Sequence, residues 1–155
     1  METLDSFILV THIVFGAAFV FTMAAVQIVT GPALSKISAG EEKQNAVRIV
    51  QTRAAPAMDI AIIVMDITVA YLLYSRWDEI GAMLWLHIKT TFGFTALVIA
   101  NLLHFYWRSK KKRLKAKGAD DAFKKLSRRT LFLEKVVLTC AAITFLMGVT
   151  YNHFL

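Results

Sequence analysis

The stretch Gly81–Tyr106, GAMLWLHIKTTFGFTALVIANLLHFY, is apolar over more than a membrane's thickness, yet it carries His87, Lys89 and His104. A helix of about 20 residues crosses a hydrocarbon core about 30 Å thick. Three other stretches reach that length: Phe7–Thr30, Ala57–Ser75 and Leu131–Asn152. The 155 residues are 57% hydrophobic, with a mean hydropathy of +0.54. That composition excludes an ordinary soluble domain and fits a polytopic membrane protein. Two prolines and seven glycines leave no room for a flexible linker or a second domain. The expected fold is all-α: residues 1–155 as one four-span membrane domain, an up-down-up-down four-helix bundle whose sequential helices are antiparallel neighbours.

Charge placement orients that bundle. The net charge is +7, and eleven of the 18 Lys/Arg lie between Arg108 and Arg129. Lys36, Lys43, Arg48 and Arg53 lie between the first two spans, so residues 33–54 and 108–129 form two basic loops. Both fall on one side of a four-span chain. The other side has Glu2, Asp5, Asp78, Glu79 and the uncharged tail Tyr151–Leu155. The positive-inside rule places both loops in the cytoplasm, both termini on the non-cytoplasmic side, and the chain in the inner (cytoplasmic) membrane. The basic run reads as a solvated face beside lipid headgroups; no nucleic-acid partner is expected. The acidic start and the long first apolar stretch argue against a cleaved signal peptide. The single Cys140, within span four, provides neither a disulfide framework nor a CxxC metal site.

Local signals punctuate the chain. Thr30-Gly31-Pro32 is a stop for span one. Ser38-Ala39-Gly40-Glu41 has capping-box spacing and opens a polar helix toward Arg53. Pro56 either starts span two or kinks a continuous helix. The Lys-rich stretch Arg108–Arg129 is expected to be helical near both ends, with Gly118 as a break.

Ionisable groups inside spans are the functional signal. Each costs a few kcal/mol on insertion scales, about 2.5–3.5 for Lys, Arg or Asp, and ordinarily has a specific partner. His12, His87, Lys89, His104, Asp59, Asp66 and Glu134 all lie in or at the apolar zone. Span order sorts them by depth: His12, His87 and Lys89 in the outer third with His153 at the outer mouth, and His104, Asp59 and Glu134 at the inner boundary. At 3.6 residues per turn, Lys89, Gly93, Ala96, Ala100 and His104 share a stripe. Its small residues admit a neighbouring backbone or a flat cofactor. His12 and Gly16 share a side of span one, and Asp59 and Asp66 share a face of span two. Glu134, Ala141 and Gly148 follow a similar spacing in span four. His87 falls opposite Lys89, so one of the two turns inward and the other toward the interface or a second subunit of a homo-oligomer.

Two imidazoles at one depth on different helices are what a b-type haem requires, with Met, Phe and Gly lining an apolar slot. The plainer reading is that each buried histidine hydrogen-bonds a carbonyl or carboxylate. Lys89 either snorkels to the surface or meets an anion, an acidic side chain or a porphyrin propionate. Asp66 either pairs with a cation or stays protonated. Glu134 beside Lys135 reads as an interfacial pair. Trp77 and Trp107 suit aromatic belts.

The segment Trp85-Leu86-His87-Ile88-Lys89, then His104, a basic loop, and Arg129 and Glu134 opening the last span resemble the HemJ-type protoporphyrinogen oxidases. These belong with CopD-like membrane proteins in one broad superfamily. Pro56-Ala57-Met58 is similar to that family's Pro-Ala-Met, and His12 matches its first-span histidine. The likeness follows span order along the chain and is specific chiefly from Trp85 to His104. Departures occur at Phe15-Gly16-Ala17, at Gly31-Pro32-Ala33-Leu34 and at Leu133-Glu134-Lys135, which stands where Asn-Glu-x-Pro is expected. The resemblance implies haem b with His12 and one or both of His87 and His104 as iron ligands. It gives Lys89 the catalytic role and brings in Trp85, while Gly16 and Gly93 join the cofactor-binding set as small residues lining the slot. It also implies oxidation of protoporphyrinogen IX, with electrons passed to an acceptor in the membrane such as a quinone. Three alternatives stand beside it: a b-type haem protein that only carries electrons or senses a ligand, a CopD-like copper handler, and a cofactor-free structural bundle. For copper, Met23, Met58, Met65 and Met147 are present, but without paired Met-x-x-Met spacing.

Overall fold

A computed structural model describes residues 2–151. His153, expected at the outer mouth, and Asn152, the expected end of span four, lie outside the described residues. Among those described, the chain is helical throughout, with no strand. Four helical stretches, Thr3–Lys36, Glu41–Ser75, Leu84–Ala116 and Asp120–Gly148, are long and apolar enough to cross a membrane. Large apolar side chains stand fully outward along them, Phe7 at 67% and Leu84 at 76% exposure. A water-soluble fold would bury such groups; lipid accommodates them.

The chain divides into two compact units, Met1–Ser75 and Arg76–Leu155. In the first, α1 (Glu2–Ala24) runs through a π-helical turn, Ala25–Thr30, into the short α2 (Gly31–Lys36). The extra residue in the turn shows in its closing bond, since Gly31 N–H reaches the Val26 carbonyl, five residues back. The expected stop at Thr30-Gly31-Pro32 is therefore a passage. Proline occupies the first turn of α2, where its missing N–H costs nothing. Helix α3 (Glu41–Ser75) then runs unbroken with Pro56 inside it. Of the two possibilities for Pro56, the continuous helix is observed, and the N–H that would reach the Thr52 carbonyl is missing. The helix opens at Glu41, with Gly40 accepting from Gln44 N–H, two residues later than a Ser38 cap implies.

The second unit begins with α4 (Trp77–Ala82), followed by Met83 in extended conformation and α5 (Leu84–Asn101). Span three thus starts at Leu84 rather than Gly81, because Gly81 and Ala82 close the preceding helix. Helix α5 passes through a second π-helical turn, Leu102–Trp107, into α6 (Arg108–Ala116). Gly118 makes the expected break at φ +65, a left-handed value that glycine alone adopts without steric cost. Helix α7 (Asp120–Tyr151) completes the unit. The basic segment is thus helical on both sides of Gly118, as expected. Arg113 and Lys115 sit at the negative end of α6, and Asp120 and Asp121 at the positive end of α7.

Each unit is an antiparallel helix pair. In the first, contacts run from Asp5–Tyr71 through His12–Thr68 to Gly16–Met65, falling on α3 as they rise on α1. In the second, Lys89 meets Gly148 and Gly93 meets Thr144, falling on α7 as they rise on α5. Ile62 and Val137, both at 0% exposure, are the most deeply packed side chains of the two units.

Candidate functional site

The first unit builds a polar seam between α1 and α3. His12 Nδ1 lies 3.0 Å from Thr68 Oγ1, and the Thr68 hydroxyl donates to the Met65 carbonyl at 3.2 Å. A hydroxyl has one proton to give. The heavy-atom positions suit an imidazole that donates Nδ1–H to the Thr68 oxygen while the hydroxyl proton goes to Met65, and that tautomer carries its lone pair on Nε2. Thr68 is 2% exposed, so this bond is shielded from water's competition. Further along the same seam, the Tyr71 hydroxyl donates to Asp5 Oδ1 at 2.6 Å, in the short range of charge-assisted bonds. Asp5 and His12 are two helical turns apart on α1, and Thr68 and Tyr71 one turn apart on α3. Gly16 continues the contact, with Met65 Sδ and Cε each 3.6 Å from where its Cβ would stand.

The second unit places Lys89 at the corresponding position. Its side chain is half-buried on α5, while His87 and Ile88 are exposed. Lys89 is therefore the inward member of the pair, and the His87 carbonyl accepts from the Thr91 hydroxyl. The Lys89 Nζ lies 3.2 Å, and Cε 3.4 Å, from where a Cβ on Gly148 would stand. Among the described residues of its unit, no side chain forms an ion pair or hydrogen bond with that ammonium. One turn on, Thr144 Cγ2 lies 3.1 Å from the would-be Cβ of Gly93. Thr144 turns its hydroxyl back to the Cys140 carbonyl, which presents the methyl group to the glycine. Ala96 and Ala100 continue the stripe and are buried. Methionine and threonine side chains thus fill the space beside Gly16 and Gly93; the small residues serve helix contact at these two points.

The remaining expected residues are dispersed. His104 is half-buried within the π-helical turn, Trp85 is 43% exposed, and Trp77 is exposed. Asp59 and Asp66 are half-buried and engaged by neighbours. Glu134 and Lys111 stand close enough to attract each other. Among the described residues no group of three or more His, Cys, Asp or Glu gathers as a metal site. Concavities of about 510 and 450 Å³ open beside Arg53 and beside Arg128 and Arg129, toward the basic ends of the helices.

Sequence reasoning missed Thr68, Tyr71, Asp5 and Gly148 as neighbours of its polar residues. It also missed a shared construction. Moving 77 residues along the chain takes His12 to Lys89, Phe15-Gly16 to Phe92-Gly93, and buried Phe19 and Met23 to buried Ala96 and Ala100. The same step carries the π-turn bond from Gly31–Val26 to Arg108–Leu103. On the second helices a step of 79 takes Met58 to Val137, Ile62 to Ala141 and Met65 to Thr144. The repeated Phe-Gly pair was the available signal.

Comparison with family models, with curated proteins and with solved structures returns no match to this chain.

Proposed function

We propose that this chain is a haem b-binding oxidoreductase of the inner (cytoplasmic) membrane, with both basic segments on the cytoplasmic side and both termini outside. Its substrate class is the porphyrinogens, as its resemblance to HemJ-type protoporphyrinogen oxidases implies, and its acceptor is a membrane oxidant such as a quinone. The observation that carries this reading is the bond from His12 to Thr68. Haem iron takes an imidazole through one ring nitrogen while the other donates to a fixed partner, and that partner orients the ring and raises its basicity. His12 suits that arrangement, with Thr68 as the partner beside Nδ1. Among the described residues the lack of a three-residue metal cluster does not bear on haem, which needs only axial donors.

In this reading His12 would hold the haem iron, with Thr68 orienting its ring. His87 and His104 are tested as iron ligands by substitution. A bound haem supplies one-electron transfer. Lys89, an ammonium held in an apolar helix pair, binds and orients a substrate carboxylate through a charge-assisted hydrogen bond. The surrounding apolar side chains exclude water, which strengthens that attraction.

The deciding experiment is the optical spectrum of the detergent-solubilised protein, oxidised and reduced. A Soret band with reducible α and β bands is expected, together with protoporphyrinogen oxidation in membranes. Colourless, iron-free protein would sink the proposal. The haem spectrum without porphyrinogen turnover would move the assignment to an electron-carrying or sensing protein, and stoichiometric copper without porphyrin would move it to copper handling.

A further inference from the structure

We propose that Gly148 is the positioning residue for Lys89, and that the absence of a side chain there sets where the ammonium rests. The proposal builds on the reading of Lys89 as the substrate-binding cation. Three observations converge on it. The ammonium nitrogen and Cε stand 3.2 and 3.4 Å from the place a Cβ on Gly148 would occupy, closer than packed side chains ordinarily approach. Lys89 is half-buried while both preceding residues are exposed, so the side chain is drawn onto α7 rather than extended away from it. Within its unit, moreover, no described side chain ties the ammonium by an ion pair or hydrogen bond.

A long, flexible lysine without such a tether takes its place from the shape around it. Gly148 is that shape on the α7 side. The first unit meets the same problem differently, because His12 at the matching position is held by a hydrogen bond to Thr68. A bond restrains the imidazole; a gap receives the ammonium. Any side chain at 148 displaces the end of Lys89 from the helix pair toward the surface, since the backbone of α7 cannot yield as readily as the lysine's own methylenes.

The test uses the full-length protein in detergent micelles and a water-soluble amine-acetylating reagent, with the rate at Lys89 read by peptide mass. Lys89 should react more slowly than the exposed Lys112. Gly148→Ala should raise the Lys89 rate several-fold, while Gly81→Ala, whose added methyl meets nothing within 4 Å, should leave it unchanged. An unaltered rate in Gly148→Ala, or an equal rise in Gly81→Ala, would overturn the proposal. If Gly148→Ala melts early, the double variant Gly148→Ala/Lys89→Ala should recover the lost melting temperature; an unrelieved loss would place the clash elsewhere and refute the idea. In the activity arm, Gly148→Ala should slow porphyrinogen oxidation in the Lys89 protein and add no loss in a Lys89→Met background. Should neither protein turn over porphyrinogen, the functional reading fails, while the acetylation rates still decide the role of Gly148.

Discussion

The two helix pairs are built on one plan and equipped differently. Both run from an α-helix through a π-helical turn into a short helix and then, after a break, into a long one, and both place a Phe-Gly step where the two long helices press together. One turn before that step the first unit holds His12, tethered to a buried threonine, and the second holds Lys89, lodged beside a glycine. The difference shows how one scaffold position serves two chemistries. An imidazole needs a hydrogen-bond partner to choose its tautomer, whereas an ammonium needs space and an anion. On the proposed function, the first unit would supply a haem ligand and the second the cation for the substrate's anion.

That division can be broken by experiment. The largest effect is expected from His12→Ala, which should abolish or grossly alter the haem spectrum in the purified protein. His104→Ala should also change it if that imidazole is the second ligand. Lys89→Met should cost most of the porphyrinogen oxidation while leaving haem content near normal. Equal losses of haem and activity would show that the two positions are not specialised at all. Thr68→Val keeps the size of the side chain and removes the acceptor for Nδ1–H. Loss of such a partner typically lowers metal affinity about 10–100-fold, and haem titration would read the change. The smallest effects concern packing: Ile62→Ala should destabilise the first unit by about 2–5 kcal/mol, and Val137→Ala the second by less, because it removes one carbon fewer. Thermal melts check both, and Trp107→Phe serves as a control that leaves the spectrum unchanged.

Hydropathy made the four apolar helices legible, because burial in lipid demands long uninterrupted apolar runs. The 3.6-residue period also found the stripe from Lys89 through Gly93, Ala96 and Ala100, all four of which meet the opposing helix or lie within the core. The partners of the polar residues were not legible. Thr68 satisfies its own hydroxyl on the Met65 carbonyl, as helical threonines commonly do, so nothing in the sequence marks it as an acceptor for His12. Gly148 looked like one more small residue in span four, and only coordinates reveal whose side chain rests on it. The shared plan escaped notice because equivalent positions differ in type, His12 against Lys89 and Met65 against Thr144, leaving Phe-Gly as the visible trace.

The π-helical turns have a consequence for chain length. Each admits one residue more than an α-helix would, and an α-helix advances about 100° per residue. Deleting a single position from Ala25–Thr30 or Leu102–Trp107 would restore ordinary winding with little rotation downstream, whereas a deletion elsewhere in the same helices would turn everything beyond it by that angle. The basic face of α6 would keep its direction in the first case and lose it in the second. Tolerance to a one-residue deletion should accordingly be greatest at these two six-residue windows and in the turns around Ala39 and Gly118.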